Sequence, residues 1–222
     1  MRGAAAKKWA FLLSPLVLCP VLLAYPAVSI LMALGFKVFP VAYVGYSVAG
    51  LVTAAGMLAV LAVLGYSPAD LGWKGFKPLY IALGLGGAAV AFALWWGTLA
   101  LTAALHLPSW GAAYRFAHPS WQVPLILLMN ALIGPFVEET LFRGFALTVW
   151  KDRFGAAAAW TASIALFALL HFIPFGVGAV ILILPWSVIP TILAWKTKSL
   201  WPAFIMHAAN NAIAYVVIPL LR

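Results

Sequence analysis

Long apolar runs, broken at short intervals by turn formers and charge, cover the whole chain. Seven are legible: Trp9–Leu34, Val41–Leu64, Pro78–Leu105, Trp121–Trp150, Gly155–Phe172, Val177–Trp195 and Leu200–Leu221. Each lies in or near the range of about 17–25 residues that an α-helix needs to cross a bilayer. Between them stand "GFKVFP", "GYSPADLGWKGFK", "HLPSWGAAYRFAHPS", "KDRF", "IPFG" and "KTKS", each rich in turn formers or charge. The pattern predicts an all-α fold: a polytopic transmembrane helical bundle of about seven spans, built as a single integral-membrane domain over residues 1–222. A membrane barrel would instead show short segments of alternating apolar and polar residues. The fourth run, about 30 residues long, is expected to be tilted, bent or partly outside the membrane.

Composition sharpens the class. With 66% hydrophobic and 8% charged residues, the chain lies far outside the usage of a soluble domain. The net charge of +9 does not point to nucleic acid, because the basic residues stand singly or in pairs between apolar runs. There they set orientation. With the N-terminus inside, the inner side collects Arg2, Lys7, Lys8, Lys74, Lys77, Lys151, Arg153, Lys196 and Lys198. The outer side has Lys37, Arg115 and Arg222. The bias puts the N-terminus in the cytoplasm and the C-terminus outside. The basic head and apolar body of "MRGAAAKKWAFLLSPLVL" continue to Leu34 without a small-x-small cleavage site, so they read as a retained signal anchor. Trp110, Trp121, Trp150, Trp195 and Trp201 fall near span ends, as interfacial aromatics do. A single cysteine, Cys19, excludes an intrachain disulfide or a thiolate cluster and reads as a small buried hydrophobe.

Four carboxylates remain. Asp70 and Asp152 fall in expected loops, whereas Glu138 and Glu139 lie inside the fourth span, in "GPFVEETLFRGF". A charge at membrane depth costs roughly 2.5 kcal/mol or more, so such groups face a protein interior and mark function. Glu139 and Arg143 share a helix face at i, i+4 and can form a neutralised pair that locks helices together. Glu138 points about 100° away and has no partner in its own helix. An acid so placed suits proton transfer. The fifth span carries "FALLH", with Phe167 and His171 on one face, and the seventh carries "HAANN", with His207 and Asn211 at the same spacing. Taken alone, either histidine is a hydrogen-bonded core residue; together with Asn211 and Glu138 they become candidates for a site. His106 and His118 read as surface residues, and Asn130 and Asn210 as helix-packing amides. Counted from Lys151, Glu138 lies roughly 20 Å and His171 roughly 30 Å deep. From Lys198, His207 lies roughly 13 Å and Asn211 roughly 20 Å deep. On that count the four converge only if helices tilt or the fifth span starts late.

The three motifs, "EETLFR", "FALLH" and "HAANN", occur in that order on three apolar segments within residues 121–215. They resemble E-E-x-x-x-R, F-x-x-x-H and H-x-x-x-N of the CPBP family of intramembrane endopeptidases, also called the ABI or CAAX-prenyl-protease family. The resemblance implies a helical-bundle protease with a water-filled cavity in the bilayer. Carried over by position, Glu138 and His171 would activate water, and His207 and Asn211 would stabilise the oxyanion. Glu139 and Arg143 would hold the first-motif helix, and Phe167 would orient His171. No cofactor is expected on the favoured glutamic route. The rival is zinc held by Glu138, His171 and His207, since catalytic zinc takes three protein ligands and an open position. The expected partners are the lipid bilayer and a membrane-associated protein or peptide substrate, with no nucleic acid. The substrate is expected to be a bacterial leader peptide or a C-terminal sorting or anchor segment, and the location a prokaryotic cytoplasmic (inner) membrane. Two other functions compete: a non-hydrolytic membrane scaffold or bacteriocin-immunity protein, and a proton-coupled transporter, for which no inverted repeat is found.

Overall fold

The computed structural model of the chain describes residue 34 and residues 51–52, 55–59, 61–107 and 123–218. The expected first span, apart from Leu34, lies outside the described residues, as do Arg115, His118, Trp110 and Trp121; the second span is described only from residue 51 onward. Among the described residues all regular structure is helical. Five rods follow the second span: α1 (Leu79–Ala104), α2 (residues 123–154), α3 (Ala156–Leu170), α4 (Phe172–Thr197) and α5 (Trp201–Ala212), the last extended by a π-helical turn, Ile213–Val217. Their limits follow the third to seventh apolar runs. Two of them, residues 79–104 and 176–197, are long and apolar enough to cross a membrane. In α1, Leu79, Ile81, Leu85, Val90, Leu94, Trp96 and Leu101 are exposed. A helix with so bare an apolar surface suits lipid better than water.

The long fourth span is one rod whose register changes. Its α-helical parts, Val123–Ile126, Gly134–Glu139 and Leu147–Phe154, are separated by π-helical parts, Leu127–Ile133 and Thr140–Ala146. The first π segment has a sequence cause. In it the Gly134 N–H donates to Met129 O, five residues back. The next donor in that register would come from residue 135, which is proline and has no N–H. Residue 135 therefore offers the Asn130 carbonyl no hydrogen in that register. π segments of this kind occur mostly as single-turn bulges, often at functional sites.

α1 and α5 pack most closely. A Cβ on Gly84 would come within 2.6 Å of Ile205 Cγ2 and 3.0 Å of the Pro202 carbonyl, so only glycine allows this approach. Asn210, on α5, bolts the contact by donating from Nδ2 to Ala88 O at 3.2 Å. Asn210 thus acts as the packing amide expected. The core runs through Phe142, Phe145, Leu141, Phe167 and Met206, all buried. Trp150 belongs to that core and is not interfacial, contrary to its position near a span end. The segment "GYSPADLGWKGFK" is no free loop: Leu71 is buried, and Trp73 donates from Nε1 to Thr140 Oγ1 at 3.0 Å. Asp152 lies in the last turns of α2 and not in a loop. Gly176 has φ 76°, ψ −175°, and breaks the helix just beyond His171, which its missing side chain permits.

Candidate active site

Glu138, His171, His207 and Asn211 line one cavity of about 80 Å³, large enough for water. Its wall also includes Phe92 and Trp95 from α1, Asn130 from α2, Trp186 from α4, and Tyr215. The depth count that set His171 about 10 Å deeper than Glu138 is corrected here. The chain turns at Gly155, and Glu138 precedes that turn by 17 residues while His171 follows it by 16. Measured from the turn, the two are level.

His207 is the hub. Its Nδ1 lies 2.8 Å from Glu139 Oε1, and its Nε2 lies 3.6 Å from Glu138 Oε2. Two adjacent glutamates therefore bracket one imidazole. Glu138, read as having no partner in its own helix, meets one from another span: its 100° offset carries it to the other edge of the same ring. Glu138 keeps 13% side-chain exposure on the cavity, whereas Glu139 is fully buried behind the histidine. Glu139 Oε1 also accepts from Arg143 Nη1 at 3.1 Å, so the expected i, i+4 pair is present. Its Oε2 is buried without a hydrogen-bond partner. Arg143 is anchored further, donating from Nη2 to Ser187 O at 3.2 Å and from Nε to Thr191 Oγ1 at 3.3 Å.

The hydrogen-bond partners fix the protons. A carbonyl can only accept, so His171 Nδ1, 2.8 Å from Phe167 O, carries a hydrogen. His207 likewise uses its Nδ1–H on a carboxylate. Asn211 donates from Nδ2 to Asn130 O at 2.7 Å, the carbonyl to which Pro135 offers no hydrogen. An amide has two N–H donors, so one remains. His171, His207 and Asn211 are thus each held by a hydrogen bond while lining the cavity with Glu138.

Phe167 sits among them, with ring centroids 5.0 Å from His171 and 6.0 Å from His207. The Arg143 guanidinium lies 4.2 Å over its face. The sequence reading missed Trp186. This indole stacks on Phe167 at 5.7 Å, meets His207 edge-on at 4.8 Å, and donates to Asn210 Oδ1 at 3.2 Å. Its signal was available: a tryptophan in mid-span must place its N–H on a buried acceptor. Asn130 and Asn210, read only as packing amides, also line the cavity. His106 is exposed and distant from it, as expected.

Among the described residues no three His, Cys, Asp or Glu side chains are grouped so as to hold a metal ion.

Residues 119–213 match the Rce1-like family, described as type II CAAX prenyl endopeptidase Rce1-like. That stretch contains all three motifs and every side chain of the site except Phe92, Trp95, Ala214 and Tyr215. Over residues 119–213 the chain is therefore similar to the CPBP/CAAX protease family. No curated protein and no solved structure matches the chain. CAAX proteases of this type are membrane-embedded endopeptidases. The lipid-suited surface of α1 agrees with that setting.

Proposed function

We propose that the chain is an intramembrane endopeptidase that hydrolyses a peptide bond with water activated by Glu138 and His171. The observation that carries this reading is the meeting of Glu138, His171, His207 and Asn211 in one cavity. Glu138, assisted by His171 Nε2, takes one proton from the water as its oxygen bonds to the scissile carbonyl carbon. The oxyanion so formed accepts from His207 Nε2–H and the remaining Asn211 N–H. His207 makes that donation only with hydrogens on both ring nitrogens, and Glu139, steadied by Arg143, holds the Nδ1 end. Collapse of the tetrahedral intermediate breaks the C–N bond, and the proton passes to the leaving amine. Positioned proton transfer of this kind is worth about 10²–10⁴-fold in rate.

The orientation follows the charges: seven spans, N-terminus in the cytoplasm of a prokaryotic inner membrane, and Lys74, Lys151 and Lys198 on the inner face. The cavity lies toward the opposite end, near the C-terminal part of α1 and the residues after α5. A membrane-anchored C-terminal sorting segment or leader peptide, met from the outer half of the bilayer, is the substrate this arrangement suits. The test compares protein termini in membrane and secreted fractions of cells with the wild-type chain and with Glu138→Gln at equal expression. A defined set of new termini should depend on Glu138. Identical termini in both would refute hydrolysis and favour a scaffold.

A further inference from the structure

A second cavity, of about 250 Å³, shares no lining residue with the first. It lies at the lysine-rich end of the bundle, between residues 70–74, the C-terminal turns of α2 and the end of α4. Lys74, Lys151 and Lys198 line it, from three separate segments. Two of them converge on one indole: Lys151 Nζ is 5.3 Å and Lys198 Nζ is 4.4 Å from the Trp195 ring centre. Lys198 does so from a left-handed backbone, φ 54°, at a helix end where glycine or asparagine is the usual occupant. The remaining polar lining is Thr148, Ser199, Arg143, Asp70 and Asp152.

Charge decides what this chamber takes. Arg143 is matched by Glu139, and Asp70 Oδ2 turns to its own loop, accepting from Ser67 N at 2.8 Å and Ser67 Oγ at 2.6 Å. Three lysines against two aspartates leave an excess of one cation. The two aspartates offset only part of the lysine charge, and the remainder favours a further anion. Leu71, Leu147, Ala194 and Leu200 give the same chamber apolar walls. We propose that it binds the singly charged phosphodiester of an anionic lipid headgroup, with the lysines on the phosphate and Trp195 at the level of the lipid glycerol. One negative charge balances the excess. Basic pockets on the cytoplasmic side of a bundle are where such headgroups are held.

The test uses the full-length protein in neutral detergent, titrated separately with phosphatidylglycerol, phosphatidylcholine and inorganic phosphate, and read by native mass spectrometry and thermal unfolding. Phosphatidylglycerol should be retained and should raise the unfolding temperature, and phosphatidylcholine should not. Lys151→Gln/Lys198→Gln should weaken phosphatidylglycerol binding at least tenfold. Lys77→Gln/Lys196→Gln removes the same charge from exposed residues outside the chamber and should leave binding unchanged. Equal losses in both double variants, or none in the first, would overturn the site. An equal effect of inorganic phosphate would overturn the lipid as its occupant.

Discussion

Replacing Arg143 by methionine should cost far more than replacing Arg143 and Glu139 together. In the single variant Ser187 O still accepts from Thr191 Oγ1 at 2.9 Å, so the neutral groups around the guanidinium lose little. The loss falls on Glu139, whose side chain has no exposure to solvent. Its Oε1 keeps only the His207 donor, and its Oε2 has none to begin with. Removing one member of a buried ion pair costs roughly 3–5 kcal/mol, because the other is left charged in low dielectric. With His207 still in contact, about 3 kcal/mol is expected. Glu139→Gln/Arg143→Met removes the charge and keeps an oxygen for His207 Nδ1–H, and should stand within about 1 kcal/mol of wild type. The double variant should therefore be the more stable by about 2 kcal/mol, close to a 30-fold difference in the unfolding constant. Equilibrium unfolding in mixed dodecyl maltoside and dodecyl sulfate micelles, followed by the fluorescence of the 11 tryptophans, measures this directly. A double variant no more stable than Arg143→Met would show that Glu139 does not depend on the arginine.

Two further outcomes follow from the same geometry. Pro135→Ala returns an N–H to the π segment, where it competes with Asn211 for Asn130 O; stability should rise by up to about 1 kcal/mol in the unfolding assay and, on the proposed function, the Glu138-dependent termini should diminish. Trp186→Phe keeps the stack on Phe167 but removes the donor to Asn210 Oδ1, so it should lose about 1 kcal/mol in the same unfolding assay, with a matching loss of cleavage as the His207 edge contact loosens.

The rods from residue 79 onward were legible because apolar runs of membrane length leave little choice of structure. The rod limits fall within a few residues of the runs, and the glutamate, histidine and asparagine motifs do meet. Two features were not legible. A 3.6-residue period assumes a regular helix, and the register shift forced by Pro135 breaks that assumption inside the fourth span. The partner of Glu138 was hidden for a different reason. An imidazole has two nitrogens about 2 Å apart, so two neighbouring glutamates that diverge on a helix can still reach opposite edges of one ring brought by another span. Trp186 escaped notice because tryptophans were sought only at span ends.

Phe167 touches the arginine, both histidines and the indole at once, without forming a hydrogen bond through its side chain. It works as a common bearing. A shift of α3 toward or away from the cavity would move Phe167 against both histidines at once, so on the proposed mechanism the two halves of the site should respond to it together.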